Sequence, residues 1–288
     1  MIECVPNFSE GRDPHVIVAI ARVAGHVNGI TVLGFDSDAD HHRSVITFAG
    51  EAAVVLEAAV RCVGKASALI DLRQHTGVHP RVGATDVLPF VPLAGSTLDD
   101  CIHAAHQAGA EIWRRFSIPV YFYEAAALHP SRRQLQHVRR TGFDGQPPDI
   151  GDIPAHPTAG AVMVGARHFL VAYTINLTTP DAAVAKAIAR KIRESSGGLR
   201  SVKAMGLYLE SRQCAQVSMN LTNFAETPLD ELYAAVEREA AALGAGILES
   251  ELIGFIPKQA YDQAPAFFNR IRGFNESRII ENRLLQLK

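Results

Sequence analysis

Apolar and polar positions follow two different periods along the chain, and the order of these periods predicts an α/β protein made of two similar halves. In the first half, five strand-like runs are predicted at residues 2–6, 29–35, 44–48, 68–72 and 87–91, with helices at residues 13–25 and 51–65. Asp13 precedes the first helix as its predicted N-cap. With one strand more than required after the second helix, the first half follows the βαββαβ order of a ferredoxin-like fold.

The second half repeats this order without repeating residue identities. Strands are predicted at residues 169–176, 202–210, 214–221 and 246–253, and helices at residues 180–194 and 229–243. Between the halves lie a helix at residues 98–116 with Thr97 as N-cap, a strand at residues 120–123, and a proline-rich segment at residues 141–159. Long irregular segments are often functional, so this one is expected to line or cover a cleft.

The halves are predicted to form two domains, residues 1–178 and 179–288, each a ferredoxin-like subdomain of the α/β (α+β) class. The boundary is placed near Thr178. Because many unrelated activities share this order of elements, it predicts an architecture and no activity.

Composition narrows the class of protein. Of the 288 residues, 48% are hydrophobic and 20% charged, and the formal net charge is -2, which argues against a nucleic-acid binder with a broad basic face. No apolar run approaches the roughly 20 residues that cross a bilayer, and the first residues lack the pattern of a signal peptide. The cysteines are far apart and form no CxxC pair, which indicates buried reduced thiols and a cytoplasmic location: Cys4, Cys62, Cys101 and Cys214.

The loop at residues 73–86 carries the clearest candidate chemistry. It contains two histidines, two arginines and an aspartate, and it is punctuated by Gly77, Pro80 and Gly83. An imidazole can take and return a proton near neutral pH, and an arginine can bind a carboxylate through two parallel hydrogen bonds. The pattern alone leaves a well-capped surface loop as the alternative.

Two further clusters admit two interpretations each. Residues 36–43 hold three aspartates and two histidines, which suits either a metal site or a hairpin loop that lends a carboxylate to orient a histidine; the spacing favours the loop. Residues 160–169 are rich in small side chains around Gly165, so either a ligand approaches the backbone closely or the segment is a tight turn between buried strands. No GxSxG motif or P-loop is present, which favours acid-base chemistry by histidine beside arginine-bound anions.

Five segments together resemble the glutamate formimidoyltransferase family, the module that forms the N-terminal part of formimidoyltransferase-cyclodeaminase. They are residues 3–11, 43–50, 75–89, 119–123 and 165–173, and a weaker match covers residues 215–221. The likeness spans most of the chain and leaves nothing over for a cyclodeaminase domain.

The resemblance implies two α/β subdomains with facing sheets and folate in a groove or tunnel between them. It places the catalytic histidine at His79 and an assisting aspartate at Asp36. Arg43, Arg81 and Arg167 become candidates to hold substrate carboxylates, and Phe8 a candidate for a pterin slot. The folate-binding segment of the family falls on Gly165, Ala166, Arg167, His168, Phe169, Leu170, Val171, Ala172, Tyr173 and Thr174. One departure is His42, where relatives usually have Asn.

The implied activity is folate-dependent transfer of a formimino group between N-formimino-L-glutamate and tetrahydrofolate, in histidine degradation and one-carbon metabolism. Tetrahydrofolate is the co-substrate, no metal is implied, and the expected assembly is a homodimer acting on small molecules without nucleic acid or membrane. Three alternatives remain open: a glutamate formyltransferase using 5-formyltetrahydrofolate, a folate-binding module without turnover, and a metallohydrolase built on the histidine-rich loops.

Overall fold

The computed structural model describes residues 1–141 and 147–287, and it divides the chain into two compact units between His168 and Phe169. The predicted boundary near Thr178 lies beyond the strand Val171–Leu177, which pairs only with strands of the second unit. Residues 142–146 of the segment predicted to cover a cleft fall outside the described residues. Within the described ranges, no helix combines the length and the apolar character that a bilayer crossing requires.

The first unit is a mixed sheet with the three predicted helices and one further short helix that was not predicted. Its strands are β1 (Ile2–Cys4), β2 (Asn7–Phe8), β3 (Thr31–Asp38), β4 (Arg43–Gly50), β5 (Thr85–Pro92), β6 (Val120–Glu124) and β7 (Val162–Ala166). Its helices are α1 (Pro14–Gly25), α2 (Ala52–Leu69), α3 (Leu98–Phe116) and α4 (Leu135–Thr141). At one edge of the sheet, β3 pairs with β4. Both β1 and β2 pair with β4 on one side and with β5 on the other. Beyond β5 lies β7, and β6 pairs with β7 at the other edge. Neighbours are antiparallel except for the parallel pairs of β7 with β5 and β6.

The ferredoxin-like order predicted for the first half is confirmed for β1 through β5. Asp13 caps α1 by accepting a hydrogen bond from the backbone of His15, and Thr97 forms a reciprocal capping box with Asp100 at the start of α3. Both predicted N-caps are therefore correct.

Two short apolar runs were predicted wrongly. The run at residues 68–72 is not a strand, because α2 continues to Leu69 and a 3₁₀ turn follows at Leu72–Gln74. Ala66 and Ile70 lie four positions apart and are both buried, so the helical period applies through this stretch. The tight turn, one of the two interpretations of residues 160–169, is wrong, because Val162–Ala166 form the strand β7, whose five residues are all buried. Strands buried on both faces have continuous apolar runs without alternation, which explains the missed strand.

The second unit has the predicted order as far as residue 253, and two short helices that were not predicted follow. Its elements are β8 (Val171–Leu177), α5 (Ala182–Ile192), β9 (Val202–Leu209), β10 (Cys214–Leu221), α6 (Leu229–Ala242), β11 (Ile247–Ile253), α7 (Lys258–Gln263) and α8 (Ile280–Gln286). The four strands form one antiparallel sheet in the order β11, β8, β10, β9. This is the ferredoxin-like strand order and matches that of β5, β1, β4 and β3 in the first unit.

The two faces of the first sheet differ in what they bury. One face packs against α1, α2 and α3 and forms the main apolar core of the unit. Alternate residues of β5, β6 and β7 point to the other face, where Val87, Tyr121 and Met163 form a smaller cluster with Val138 of α4. All four cysteine side chains are buried, as predicted. The candidate site lies on the second face.

Candidate active site

A β-bulge places a buried carboxylate at the centre of the candidate site. Asn7 of β2 lies opposite Val87, whereas Phe8 lies opposite Thr85, so Asp86 is the extra residue on β5. Bulges redirect a side chain out of the regular alternation. Asp86 is fully buried, and its Oδ1 atom accepts a hydrogen bond of 2.8 Å from the backbone N–H of Val82.

Two arginines from different elements share this carboxylate. The guanidinium of Arg43, from β4, lies 2.7 Å from Asp86 Oδ2, and Arg139, from α4, pairs with the same oxygen. Arg43 is held further by a hydrogen bond of 3.0 Å to the side-chain oxygen of Asn7. One carboxylate between two guanidiniums leaves a local excess of one positive charge, which suits an anionic ligand.

Electrostatics keep Asp86 ionised despite its burial. Burial by itself raises the pKa of the Asp86 carboxyl, but the charges of Arg43 and Arg139 outweigh that effect and bring the pKa to about 2. The carboxylate therefore stays negative throughout the physiological range.

His79 lies beside this cluster with its ring set for proton transfer. The ring is half-buried, and its Nδ1 lies 2.8 Å from the carbonyl oxygen of Pro80. A carbonyl can only accept, so Nδ1 carries the hydrogen and the lone pair of the neutral ring is on Nε2. Burial lowers the pKa of His79 well below its ordinary value, and the charges of Arg43 and Arg139 lower it further against the opposing effect of Asp86. At neutral pH the ring is a base ready to accept a proton.

The loop that carries His79 is fastened to the β3–β4 turn. Arg81 donates hydrogen bonds of 2.6 Å to the carbonyl of Gly77 and 2.8 Å to that of His79. The backbone N–H of Val78 donates to the carbonyl of Asp40 at 3.2 Å. The guanidinium of Arg81, predicted to bind substrate, thus holds backbone carbonyls of its own loop, and its role in binding stays a prediction.

Gly77 allows the close approach of this loop to the turn. A Cβ atom added at Gly77 would lie 2.6 Å from the carbonyl oxygen of His41 and 2.7 Å from Cβ of His42, closer than packed atoms permit. We expect Gly77→Ala to displace the loop and lower kcat by about tenfold or more, since small misplacements of a catalytic group are costly. Steady-state kinetics would measure this, with unchanged circular dichroism showing that the fold is intact. Gly25→Ala is the matched control because an added Cβ there meets Val32 at an ordinary 3.6 Å; equal losses in both variants would contradict the prediction.

Asp36 lies on the same sheet face as Arg43. It pairs across the sheet with Val45, which in turn lies opposite Asn7, and alternate residues of a strand share a face. The hydrogen-bond partner of His79 Nδ1 is the Pro80 carbonyl and not a carboxylate. The part assigned to Asp36, orienting the histidine and stabilising its charged form, stays a prediction.

Asp36→Asn tests that role. A carboxylate on the face of the candidate site stabilises a transient imidazolium through space, so its loss should lower kcat by about tenfold, less than the loss from removing the imidazole itself. The measurement is kcat and KM at saturating co-substrate. Asp99→Asn, at an exposed position in the first turn of α3, serves as control. A loss equal to that of His79→Ala would mean that Asp36 has another role.

The predicted folate-binding segment is divided between the two units. Gly165 and Ala166 end β7 of the first unit, whereas Val171 through Thr174 belong to β8 of the second. The small size of Gly165 accommodates an aromatic ring, since an added Cβ would lie 2.5 Å from Tyr123. The guanidinium of Arg167 donates to the carbonyl of His168 at 3.0 Å. Binding of folate by these residues stays a prediction.

Two other residues that the sequence singled out, Phe8 and His42, make contacts within the protein. Phe8, a candidate for the pterin slot, is fully buried in the core on the helix side. His42 of the candidate metal loop binds Glu10 and the backbone of Thr76. In the part of the chain that the structure describes, no group of three or more histidine, cysteine or acidic side chains is arranged to hold a metal ion.

Two residues of the site escaped the sequence analysis as functional candidates. Asp86 was noted only as part of its loop, because a β-bulge depends on the register between strands and leaves no local signal. Arg139 lies in a short helix beside the proline-rich segment, and its partner Asp86 is far away in sequence. The sequence signal that could have drawn attention to Arg139 was the pair Arg139-Arg140 after the apolar positions Leu135 and Val138.

Comparisons with known proteins agree along the whole chain. Residues 1–167 match the family model of the formiminotransferase domain, N-terminal subdomain, and residues 172–287 match that of the formiminotransferase domain. The chain is 41% identical to glutamate formimidoyltransferase from Streptococcus pyogenes, over 99% of each chain. It is 37% identical to glutamate formimidoyltransferase from Thermoplasma acidophilum, over 99% of this chain and 97% of that one. It is 38% identical to rat formimidoyltransferase-cyclodeaminase, over 93% of this chain and 52% of the relative.

Proposed function

Since the chain belongs to the formiminotransferase family, we propose that it is a folate-dependent enzyme that transfers a formimino group between N-formimino-L-glutamate and tetrahydrofolate. The observation that carries this proposal in the structure is the neutral His79 ring, with Nδ1 bound to the Pro80 carbonyl, beside the arginine pair on Asp86. Full-length relatives in two distant organisms carry the name glutamate formimidoyltransferase.

His79 supplies the proton transfers that this reaction requires. An amine nitrogen of tetrahydrofolate forms a bond to the amidine carbon of the donor, and Nε2 of His79 takes the proton that this nitrogen loses. The tetrahedral intermediate then collapses as the bond from carbon to the glutamate nitrogen breaks, and the imidazolium returns the proton to that leaving nitrogen. One ring serves in both steps, for which general acid-base catalysis contributes about 10²–10⁴ in rate.

The arginines supply the attraction for anionic substrates. Both substrates carry glutamate carboxylates, and the cluster of Arg43, Arg139 and Asp86 has one positive charge in excess. Asp86 holds the two guanidiniums in fixed positions, which reduces the entropy lost when a carboxylate binds. We assign Arg43 and Arg139 to this contact, and Asp36 to the stabilisation of the protonated His79.

The direct test is an assay with both donors. The purified chain is incubated with tetrahydrofolate and N-formimino-L-glutamate, and the 5-formimino product is followed. A parallel reaction contains 5-formyltetrahydrofolate and glutamate. Formimino transfer with much weaker formyl transfer supports the proposal. Faster formyl transfer would make the chain a formyltransferase, and folate binding without either product would make it a binding module.

Three finer points belong to the same proposal. The reaction would serve the degradation of histidine and supply one-carbon units, the enzyme would work as a homodimer in the cytoplasm, and no metal would take part. Light scattering of the purified protein measures the assembly, and a monomer at micromolar concentration that turns over at full rate would contradict the dimer.

A further inference from the structure

The β3–β4 turn ends on a histidine that the proposed reaction does not use. His42 has a φ angle of +49°, in the left-handed region, which is uncommon for residues other than Gly. Its ring is nevertheless inside the protein, with only 8% of the residue exposed. A histidine held in this conformation with its ring buried needs compensating contacts.

Both ring nitrogens of His42 face hydrogen-bond acceptors. Nδ1 lies 2.8 Å from the carbonyl oxygen of Thr76, and Nε2 lies 3.1 Å from Oε1 of Glu10. Burial raises the pKa of the Glu10 carboxyl, but hydrogen bonds from the backbone of Asp13 and Arg12 and the proximity of His42 lower it overall, so the group is ionised. A neutral imidazole has one N–H. The two hydrogen bonds coexist only when the ring carries both hydrogens.

A continuous series of contacts leads from His42 to His79. The ring of His75 stacks on that of His42 at a centroid distance of 3.7 Å and an interplanar angle of 15°. Nε2 of His75 donates to the carbonyl of His42 at 3.1 Å, and Nδ1 of His75 accepts from Arg81. The same arginine donates to the carbonyl of His79 at 2.8 Å.

We propose that protonated His42 is a positioning residue, which fastens the loop carrying His79 through a clasp made of Glu10, His42, His75 and Arg81. This inference rests on the proposed catalytic role of His79. His42 has no part in the proposed proton transfers, and it acts through the loop. Loss of the hydrogen bond between the ring and the Thr76 carbonyl would loosen the loop there.

Charged groups of both signs surround the ring. Glu10, from the β2–α1 loop, stabilises the charged ring. Arg12 lies 3.5 Å from the Thr76 side chain, and Arg81 lies beyond His75, so both oppose the charge; His41 and Arg43 are the neighbours of His42 in the chain. Glu10 is therefore the counter-charge of the clasp.

The test combines kinetics with two readouts that need no turnover. Variants Glu10→Gln, which keeps the acceptor oxygen and removes the charge, and His42→Asn, which tolerates the left-handed conformation, are compared with the matched control His26→Asn at an exposed helix end. For each protein, kcat and KM are measured from pH 6 to 9. Nitrogen-15 spectra of the histidine rings report protonation, and hydrogen exchange of the Val78 amide reports how firmly the loop is held.

We expect the spectra to show hydrogen on both nitrogens of His42. His42→Asn should lower kcat by about tenfold with little change in KM, and it should speed exchange of the Val78 amide. Glu10→Gln should change kcat and the exchange rate in the same direction, and His26→Asn should change nothing.

Two results would overturn the clasp: a His42 ring with a single hydrogen from pH 6 to 8, or a His42→Asn variant with the kcat, pH profile and Val78 exchange of the unaltered chain. Full turnover by His79→Ala is a different failure. It would contradict the proposed catalytic role, while the spectra and the exchange rates would still show whether the clasp forms.

Discussion

Replacement of His79 by alanine is expected to lower kcat by about 10²–10⁴ while leaving the fold intact. The ring is half-buried and its one hydrogen bond at Nδ1 goes to the neighbouring Pro80 carbonyl, so its removal leaves no buried charge behind. The proton would then have to move to and from water, and the contribution of general acid-base catalysis is lost. Steady-state kinetics with tetrahydrofolate and N-formimino-L-glutamate measure the effect.

The control for this variant is His129→Ala. His129 is exposed and makes no side-chain cap hydrogen bond at its 3₁₀ turn, so its replacement should leave kcat unchanged. A His79→Ala enzyme within a few-fold of normal turnover would remove this residue from the mechanism.

The lowered pKa of His79 predicts where kcat/KM falls on the acid side of its pH profile. Because burial and the arginine charges lower its pKa well below the ordinary value for histidine, the base is neutral across the physiological range. We expect kcat/KM to fall only at acidic pH, below the ordinary titration range of about pH 6.5. An acid limb centred at or above that value would show that the ring is more solvated than its contacts indicate.

Asp86→Asn is expected to destabilise the first unit by about 3–5 kcal/mol, because it leaves two guanidiniums close together without their shared counter-charge. The side chain is fully buried, so solvent cannot replace the lost interaction. Chemical unfolding followed by the fluorescence of Trp113 measures this effect. Trp113 is the single tryptophan of the chain and lies in α3 of the same unit, so its signal reports the unit that contains Asp86.

Lys258 and Asp262 provide the matched control pair. Both side chains are more than half exposed, and surface ion pairs contribute little to stability, so Asp262→Asn should leave unfolding nearly unchanged. A comparably small effect of Asp86→Asn would mean that the arginines separate and become hydrated when the carboxylate is lost.

The pH dependence of this contribution follows from the lowered pKa. The unfolded carboxyl titrates near 4 and the folded one at about 2, so folding is stabilised by the ionised form. That stabilisation is present above about pH 4 and is lost as the pH falls through 2. It amounts to about 3 kcal/mol, at 1.4 kcal/mol for each pH unit of difference.

The periodic patterns predicted most elements correctly because they depend on residues close together in sequence. Thr97 and Asp100 form their capping box within one turn, and the alternation in β10 (Cys214–Leu221) identifies that strand directly. The failures lie where two periods compete over a short run. Residues 68–72 continue a helix instead of forming a strand, and β7, buried on both faces, has no alternation to detect.

The sequence by itself determined the order of the elements, the family, and the histidine in the His79-Pro80-Arg81 turn as the candidate base. Only the tertiary structure decided which charges surround that base. The bulge at Asp86 depends on strand register, Arg139 comes from a helix far along the chain, and the His42 ring finds Glu10 and Thr76 on separate loops. Local periodicity follows from the covalent backbone, whereas these contacts join residues that are distant in sequence, so they exist only once the sheet has formed.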